Sequence, residues 1–284
     1  MLAEALAWVT TPCSPAARKL GLLGDLIALR AREGRLRKAW KPHLQACQSQ
    51  IIRAAEQLRP LGSQPQGRCV VLGSGWLFDV PLSQLTERFA EVVLVDILHP
   101  RAVRQQVRRM RAVRLVEADL TDILDWLVSA PMEVPGIPVG FAPEVSGLCA
   151  EADLIISCNL LSQLAVAPRR VLEQHGPALS DQEMEQFCAG VVRAHLQALA
   201  VWSGSEARRV LLITDTQREE RDPAGQRPSE RFDLLYGQRP RLEPVAPDMP
   251  KSWIWDLAPP PEEGRDRHIR HRVIAGWLSP PPPS

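Results

Sequence analysis

Five short apolar runs, each followed by a stretch with helical spacing, constrain this chain more than any other feature. They are Cys69–Leu72, Val92–Val95, Val113–Val116, Asp153–Ile156 and Val210–Ile213. Runs this short and this apolar predict strands covered on both faces, because a half-exposed strand alternates polar and apolar residues. Helical stretches lie between them, through Leu82, Leu85 and Phe89, from His99 to Arg111, and around Thr121 to Leu127. A longer one, opened by the capping box Ser180-Asp-Gln-Glu183, turns Met184, Phe187, Val191, Val192, His195 and Leu199 inward. Strands alternating with helices form right-handed crossovers and a parallel sheet wound on both sides. Two further strand-like stretches, Ser252–Leu257 and His268–Trp277, predict a pair closing one sheet edge. The expected fold is therefore α/β, Rossmann-like and doubly wound, with a mainly parallel seven-stranded sheet that ends in an antiparallel strand.

A helical prefix precedes this unit. Ser14-Pro15 is a helix start, with a stripe of Leu20, Leu23, Ile27 and Leu29 predicting a helix to about Arg32. A second helix is expected from near Pro42, through Leu44, Cys47, Ile51, Ala55 and Leu58, until Pro60, Gly62 and Pro65 end it. The expected organisation is a helical cap over residues 1–62, a ligand-binding domain over 67–278, and a disordered tail over 279–284. Insertions are expected at 129–147, read as a proline-rich and glycine-rich surface loop, and at 217–250.

The overall balance excludes several classes. A formal net charge of +1 offers no general attraction to nucleic acid or acidic lipid. No apolar run approaches the roughly 18 residues that span a bilayer, and the opening MLAEALAWVT lacks a basic leader, so a cytoplasmic address is expected and no membrane partner. The six cysteines, Cys13, Cys47, Cys69, Cys149, Cys158 and Cys188, show no CxxC or Cys/His spacing. They read as free thiols in a reducing compartment, with no metal expected.

Open parallel sheets bind ligands beyond the carboxyl ends of their strands. After the first strand, Gly73-Ser74-Gly75 lets a ligand approach the backbone, and the helix beyond is expected to offer unpaired amides. Asp96 ends the second strand, 21 residues past Gly75, a spacing that suits an acceptor for ribose hydroxyls. Asp119, after the third strand, is placed to accept from an adenine amino group. Each feature alone also has an ordinary structural use, as a tight turn or a helix cap. Together they point to an adenosine-containing cofactor. Phe78 stands where a dinucleotide loop needs its third glycine, which argues against NAD.

On Val70-Val-Leu-Gly-Ser-Gly75, Asp96 and Asp119, the chain resembles the class I S-adenosylmethionine-dependent methyltransferases over about residues 67–215, with a continuation to 278. The resemblance implies S-adenosylmethionine as cofactor, held by Gly73, Ser74, Gly75, Asp96 with Ile97, and Asp119 with Leu120. It also implies that the segment from Asp153 to Gln163 faces the methyl donor, and that Arg270–Trp277 is the family's terminal antiparallel strand. Two positions depart from the pattern: Val71 replaces the acid two residues before the first glycine, and Leu77 replaces the third glycine. Asp79 is the candidate for the missing carboxylate.

Asn159 and Gln163, after the fourth strand, are candidates for positioning an acceptor, with Asn159 also near the cofactor. Tyr236, Trp253 and Trp255, with Arg231, are candidate walls of the acceptor pocket, since the two indoles alternate on one strand and share a face. His195 reads as a core histidine and His99 as a helix cap, so no general base is assigned. Arg101, Arg104, Arg108 and Arg111 form one basic helix face, and Arg30, Arg32, Arg35, Arg37, Lys38 and Lys41 add charge in the prefix. The favoured acceptor is a small molecule. The alternatives are a methyltransferase-like binding or scaffold protein without turnover, and an RNA methyltransferase using the arginine faces.

Overall fold

A computed structural model describes residues 8, 11–129, 140–176, 179–203, 208–224 and 229–280. Its centre is a mixed sheet. The parallel strands are β1 (Arg68–Leu72), β2 (Glu91–Asp96), β3 (Val113–Glu117), β4 (Leu154–Cys158) and β5 (Arg209–Arg221). β6 (Glu230–Asp233), β7 (Leu242–Glu243), β8 (Ser252–Ala258) and β9 (His268–Leu278) complete it. The order is β3-β2-β1-β4-β5-β9-β7, with β6 beside β5 and β8 beside β9. β9 runs antiparallel to β5 and to β8, so the expected closing strand pair is present. The path holds seven strands, and two more lie alongside it.

Period-two alternation on these strands divides the core in two. Cys69, Val71, Leu94, Ile156 and Ile213 face one side, whereas Val70, Leu72, Val95, Ile155 and Leu212 face the other. The first face is covered by α2 (Leu22–Leu58), whose Cys47, Ile51, Ala54 and Ala55 are fully buried among the strand residues. The second is covered by α6 (Pro143–Ala150) and α8 (Asp181–Ser203), through Val145, Cys149, Val192, Leu199 and Trp202. The second half of the helical prefix is thus part of the sheet's own core.

Several boundaries differ from expectation. Ser14 caps α1 (Pro15–Lys19), accepting from Ala17 N at 3.1 Å, but the first helix stops there. Gly21, at φ 77°, turns the chain before α2. The break expected between Arg32 and Pro42 is only a kink at Leu36, and Pro42 lies inside the helix. Packing carries the helix past the proline, since Trp40, His43, Cys47 and Ile51 are all buried. α3 (Leu82–Thr86) has five residues and begins six residues past Gly75's neighbour Trp76, so no helix N-terminus stands at the glycine turn. α4 (Arg101–Val107) is likewise shorter than the expected His99–Arg111.

Within the stretch read as a loop over 129–147, residues 130–139 lie outside the described ones, but Pro143 opens α6 at its first position. β5 continues to Arg221 because β9 and then β6 pair with it, which turns the start of the 217–250 insertion into sheet. The capping box at Ser180 forms as expected, with Glu183 N donating to Ser180 Oγ and Ser180 N donating to Glu183 Oε2. The tail residues 281–284 lie outside the described residues. No helix among the described residues is long and apolar enough to cross a membrane.

Candidate functional site

The strand order reverses between β1 and β4, and there the two carboxyl ends open a crevice. Two cavities meet in it, sharing Gly73 and Gln163 in their walls. The smaller, about 130 Å³, lies towards β2 and β3 and is lined by Asp96, Ile97, Asp119 and Leu120. The larger, about 400 Å³, lies towards α2 and β9 and is lined by Ser74, Gly75, Asp79, Asn159, Tyr236 and Trp255 among others. Twelve of the thirteen expected site residues therefore line one bent cleft, and Trp253 alone stands outside it.

Backbone conformation explains the glycine turn. Gly73 has φ 80°, and a Cβ there would stand 2.8 Å from Leu160 Cβ. Leu77, the position where the family pattern carries glycine, keeps a left-handed φ of 61° despite its side chain. For an L-residue that conformation costs roughly 1–2 kcal/mol, which its packing against the core offsets. Ser74 Oγ is buried there without a partner.

Asp96 closes the turn from the side. Its Oδ2 accepts from Gly75 N at 2.7 Å and its Oδ1 from Ile97 N at 2.8 Å. Each oxygen retains acceptor capacity towards the smaller cavity. Burial pushes the Asp96 carboxyl up from its ordinary range, opposed by the Gly75 amide and the nearby His99.

Asp119 corrects the expectation. Its Oδ1 accepts from Thr121 N and Thr121 Oγ1, and its Oδ2 from Ile123 N and Leu124 N. Four donors fill the roughly four acceptor positions of a carboxylate. Asp119 therefore caps α5 (Leu124–Ser129) and holds the cavity wall, with nothing left for an adenine amino group. His99 is also not a cap: it is fully buried, and its N donates to Glu117 Oε1.

Asn159, at φ 49° just past β4, sits among groups that sequence spacing did not connect. Its Nδ2 lies 2.6 Å from Asp79 Oδ2, 3.2 Å from His43 Nε2 and 3.5 Å from Cys47 Sγ. Trp255 does line the larger cavity, stacked on His43 at 4.0 Å and edge-on to Trp40 at 5.1 Å. Trp253 shares that face of the sheet but not the cavity wall; its Nε1 donates to His43 Nδ1 at 3.1 Å. Arg231 is exposed and pairs with Glu219, away from this cavity, and Arg218 is the arginine that lines it. Burial would push the Cys47 thiol up, but its hydrogen bonds to Cys158 and His43 bring it down to about 6. Cys158, bonded to Cys47 and buried, is pushed well up.

A second pair was missed altogether. Asp215 and His271 are both buried, with Asp215 Oδ2 2.5 Å from His271 Nδ1 and Ser162 Oγ donating to Asp215 Oδ1 at 2.7 Å. Burial pushes the Asp215 carboxyl up, yet its bonds to His271 and Ser162 outweigh this and hold it below its ordinary range. Because the carboxylate accepts from Nδ1–H, the neutral imidazole presents a lone pair at Nε2. That atom is buried without a partner, and His271 lines the larger cavity. A strand-borne acid and a histidine 56 residues apart leave no spacing signal; only the register of β5 against β9 joins them.

The basic face of the prefix is largely neutralised. Arg32 pairs with Glu263, Arg35 with Glu262, and both Arg30 and Arg37 with Glu33. On α4, Arg104 pairs with Glu117.

No family model matches the chain, and no curated protein matches it. Among solved structures the chain is similar to a DhpI–SAH complex, at 13% identity and TM-score 0.34, covering 90% of this chain and 95% of that one. It is also similar to a DhpI–SAM–HEP complex, at 15% identity and TM-score 0.32, covering 95% and 86%. A third is Burkholderia thailandensis 1,6-didemethyltoxoflavin-N1-methyltransferase with bound 1,6-didemethyltoxoflavin and S-adenosylhomocysteine, at 13% identity and TM-score 0.30, covering 88% of each chain. Overlap at this level says nothing of which residues act, or on what.

Proposed function

We propose that the protein is an S-adenosylmethionine-dependent methyltransferase whose acceptor is a small molecule. The observation that carries the reading is the bent cleft, whose two lobes join over Gly73 at the strand-order reversal. In this reading the smaller lobe takes the adenosine, with the ribose hydroxyls donating to Asp96 and the base lying between Ile97 and Leu120. Gly73 and Gly75 would let the cofactor's amino-acid end approach the backbone, and the buried, unpartnered Ser74 hydroxyl would be available to hold it. Bound there, the cofactor supplies a sulfonium methyl already activated for in-line displacement.

The remaining work belongs to the chain. The larger lobe holds the acceptor against Trp255 and Tyr236, with Gln163 at the junction of the lobes. His271 Nε2 takes the proton of an acceptor hydroxyl or amine, and Asp215 fixes the tautomer and stabilises the imidazolium that forms. A concave cleft of about 400 Å³ has the size of a small-molecule site. The carboxylates paired with the prefix arginines weaken the case for RNA. A structure soaked with S-adenosylhomocysteine tests the reading. Density bridging both lobes over Gly73, with ribose at Asp96, is expected; density elsewhere, or a cleft left empty at saturating ligand, would refute it.

A further inference from the structure

The cluster around Asn159 does not depend on the methyl-transfer reading and poses a problem of proton placement. Trp253 Nε1–H is a donor only, so His43 Nδ1 must accept from it, and the neutral imidazole then carries its proton on Nε2. Nε2–H points at the Asn159 amide, 3.2 Å away, where an NH2 group would set donor against donor. The remedy is to turn the amide over, exchanging its nitrogen and oxygen, since in the unturned orientation the Asn159 oxygen is buried without a partner. The exchange satisfies His43 but brings the Asn159 oxygen within 2.6 Å of Asp79 Oδ2. The sulfurs of Cys47 and Cys158 converge on the same place, 3.5 and 3.7 Å from that amide atom. A single proton would relieve the two oxygens but would not use the convergence of the two sulfurs, one 3.7 Å from His43 Nε2 and the other 3.4 Å from Asp79 Oδ2. A cation serves all four.

We propose that Cys47, Asp79, Cys158 and Asn159 bind one zinc-like divalent cation, tying α2 and the glycine loop to the end of β4. The Cys47, Asp79 and Cys158 ligand atoms all lie within 4.8 Å of one another. With zinc–sulfur bonds of about 2.3 Å and zinc–oxygen bonds of about 2.0 Å, a tetrahedral site has sulfur–oxygen edges of about 3.5 Å and sulfur–sulfur edges of about 3.8 Å. The contacts from the amide to the two sulfurs match the sulfur–oxygen edge, as does Cys158 Sγ to Asp79 Oδ2 at 3.4 Å, whereas the 2.6 Å between Asn159 and Asp79 must open by about 0.7 Å to reach the oxygen–oxygen edge of about 3.3 Å. Two thiolates favour a soft or borderline ion over magnesium or calcium. His43, held by Trp253 and stacked on Trp255, supplies the outer hydrogen bond to the ligand set. Four protein ligands drawn from three segments make this a closed, structural site.

The test uses the full chain, purified reduced and titrated with Co²⁺ in place of zinc. One equivalent should produce visible bands of tetrahedral intensity and a near-ultraviolet thiolate-to-cobalt band, both erased by one equivalent of Zn²⁺. Cys47→Ser and Cys158→Ser should each weaken the thiolate band by about half or more and the double variant should abolish it, whereas Cys13→Ser, outside the cluster, should keep it; circular dichroism checks that each variant is folded. Zn²⁺ should raise the melting temperature of the metal-free wild type, and not that of a folded Cys158→Ser chain. Reduced, folded wild type that gives no thiolate-to-cobalt band would overturn the proposal, as would a band unchanged in both cysteine variants. Because neither readout involves the cofactor, failure here leaves the methyl-transfer reading standing, and the reverse also holds.

Discussion

His195 offers a quantity that can be worked from burial alone. It projects from α8 under β4, 2% exposed, with Nε2 3.1 Å from Ser157 Oγ and Nδ1 without a partner. Burial lowers its pKa from 6.5 to about 3. Below pH 6.5 the unfolded chain takes up a proton at this residue that the folded chain refuses, so stability is fully present above 6.5 and drains away as pH falls towards 3. The slope in that window is about 1.4 kcal/mol per pH unit, which makes the loss about 2 kcal/mol at pH 5. His195→Gln keeps a hydrogen-bonding group near Ser157 and does not titrate. Urea unfolding of both proteins between pH 7.5 and 5.0 should show their stability difference shifting by about 2 kcal/mol in the variant's favour on acidification. Parallel pH dependence in the two proteins would refute the assignment of a buried, neutral imidazole.

Gly73→Ala combines a left-handed backbone with a Cβ against Leu160, and should lower stability by about 1–2 kcal/mol or more in thermal melts while closing the neck between the two cavities. Asp119→Ala should cost about 1–2 kcal/mol in the same melts through loss of the α5 cap, and Asp119→Asn should recover only part of it, because its amide NH2 replaces one of the two accepting oxygens and faces two donors. His271→Gln should reduce kcat for an acceptor that must lose a proton by roughly 10²–10⁴-fold and leave cofactor affinity unchanged in calorimetry. In Asp215, the bond to His271 holds the carboxyl low, so it stabilises the fold above its unfolded pKa and that support is lost as pH falls through the folded one. His271→Gln should accordingly move the acid limb of the unfolding curve to higher pH.

What was legible in the sequence was what local chemistry decides. The apolar runs read as two-sided strands because each residue of β1, β2 and β4 meets a neighbour on one face or the other, and Ser180 announced α8 through its own capping box. That the glycine turn and Asp96 come together was legible because they lie one crossover apart, and Asp96 Oδ2 does accept from Gly75 N. Asp119 was misassigned because an acid at a strand end serves a ligand or a helix start equally well in sequence, and only the four amide and hydroxyl contacts decide between them. The Asp215–His271 pair and the cluster of His43, Cys47, Asp79 and Cys158 were invisible for a different reason. Their members come from α2, the loop after β1, β4, β5 and β9, and only the order of the sheet brings them together. The helix break was misplaced to Pro42 because proline is a strong local signal, while burial of Trp40, His43 and Cys47 on either side of it keeps the helix continuous.

The central claim, that the cleft over Gly73 holds S-adenosylmethionine with its ribose at Asp96, is tested most directly by titration calorimetry with S-adenosylhomocysteine on wild type and Asp96→Ala. The account predicts one site in the wild type, and a loss of roughly 1.5–3 kcal/mol, or about 10- to 100-fold in affinity, when the charged acceptor is removed. No heat of binding in the folded wild type, or equal affinity in the two proteins, would contradict it.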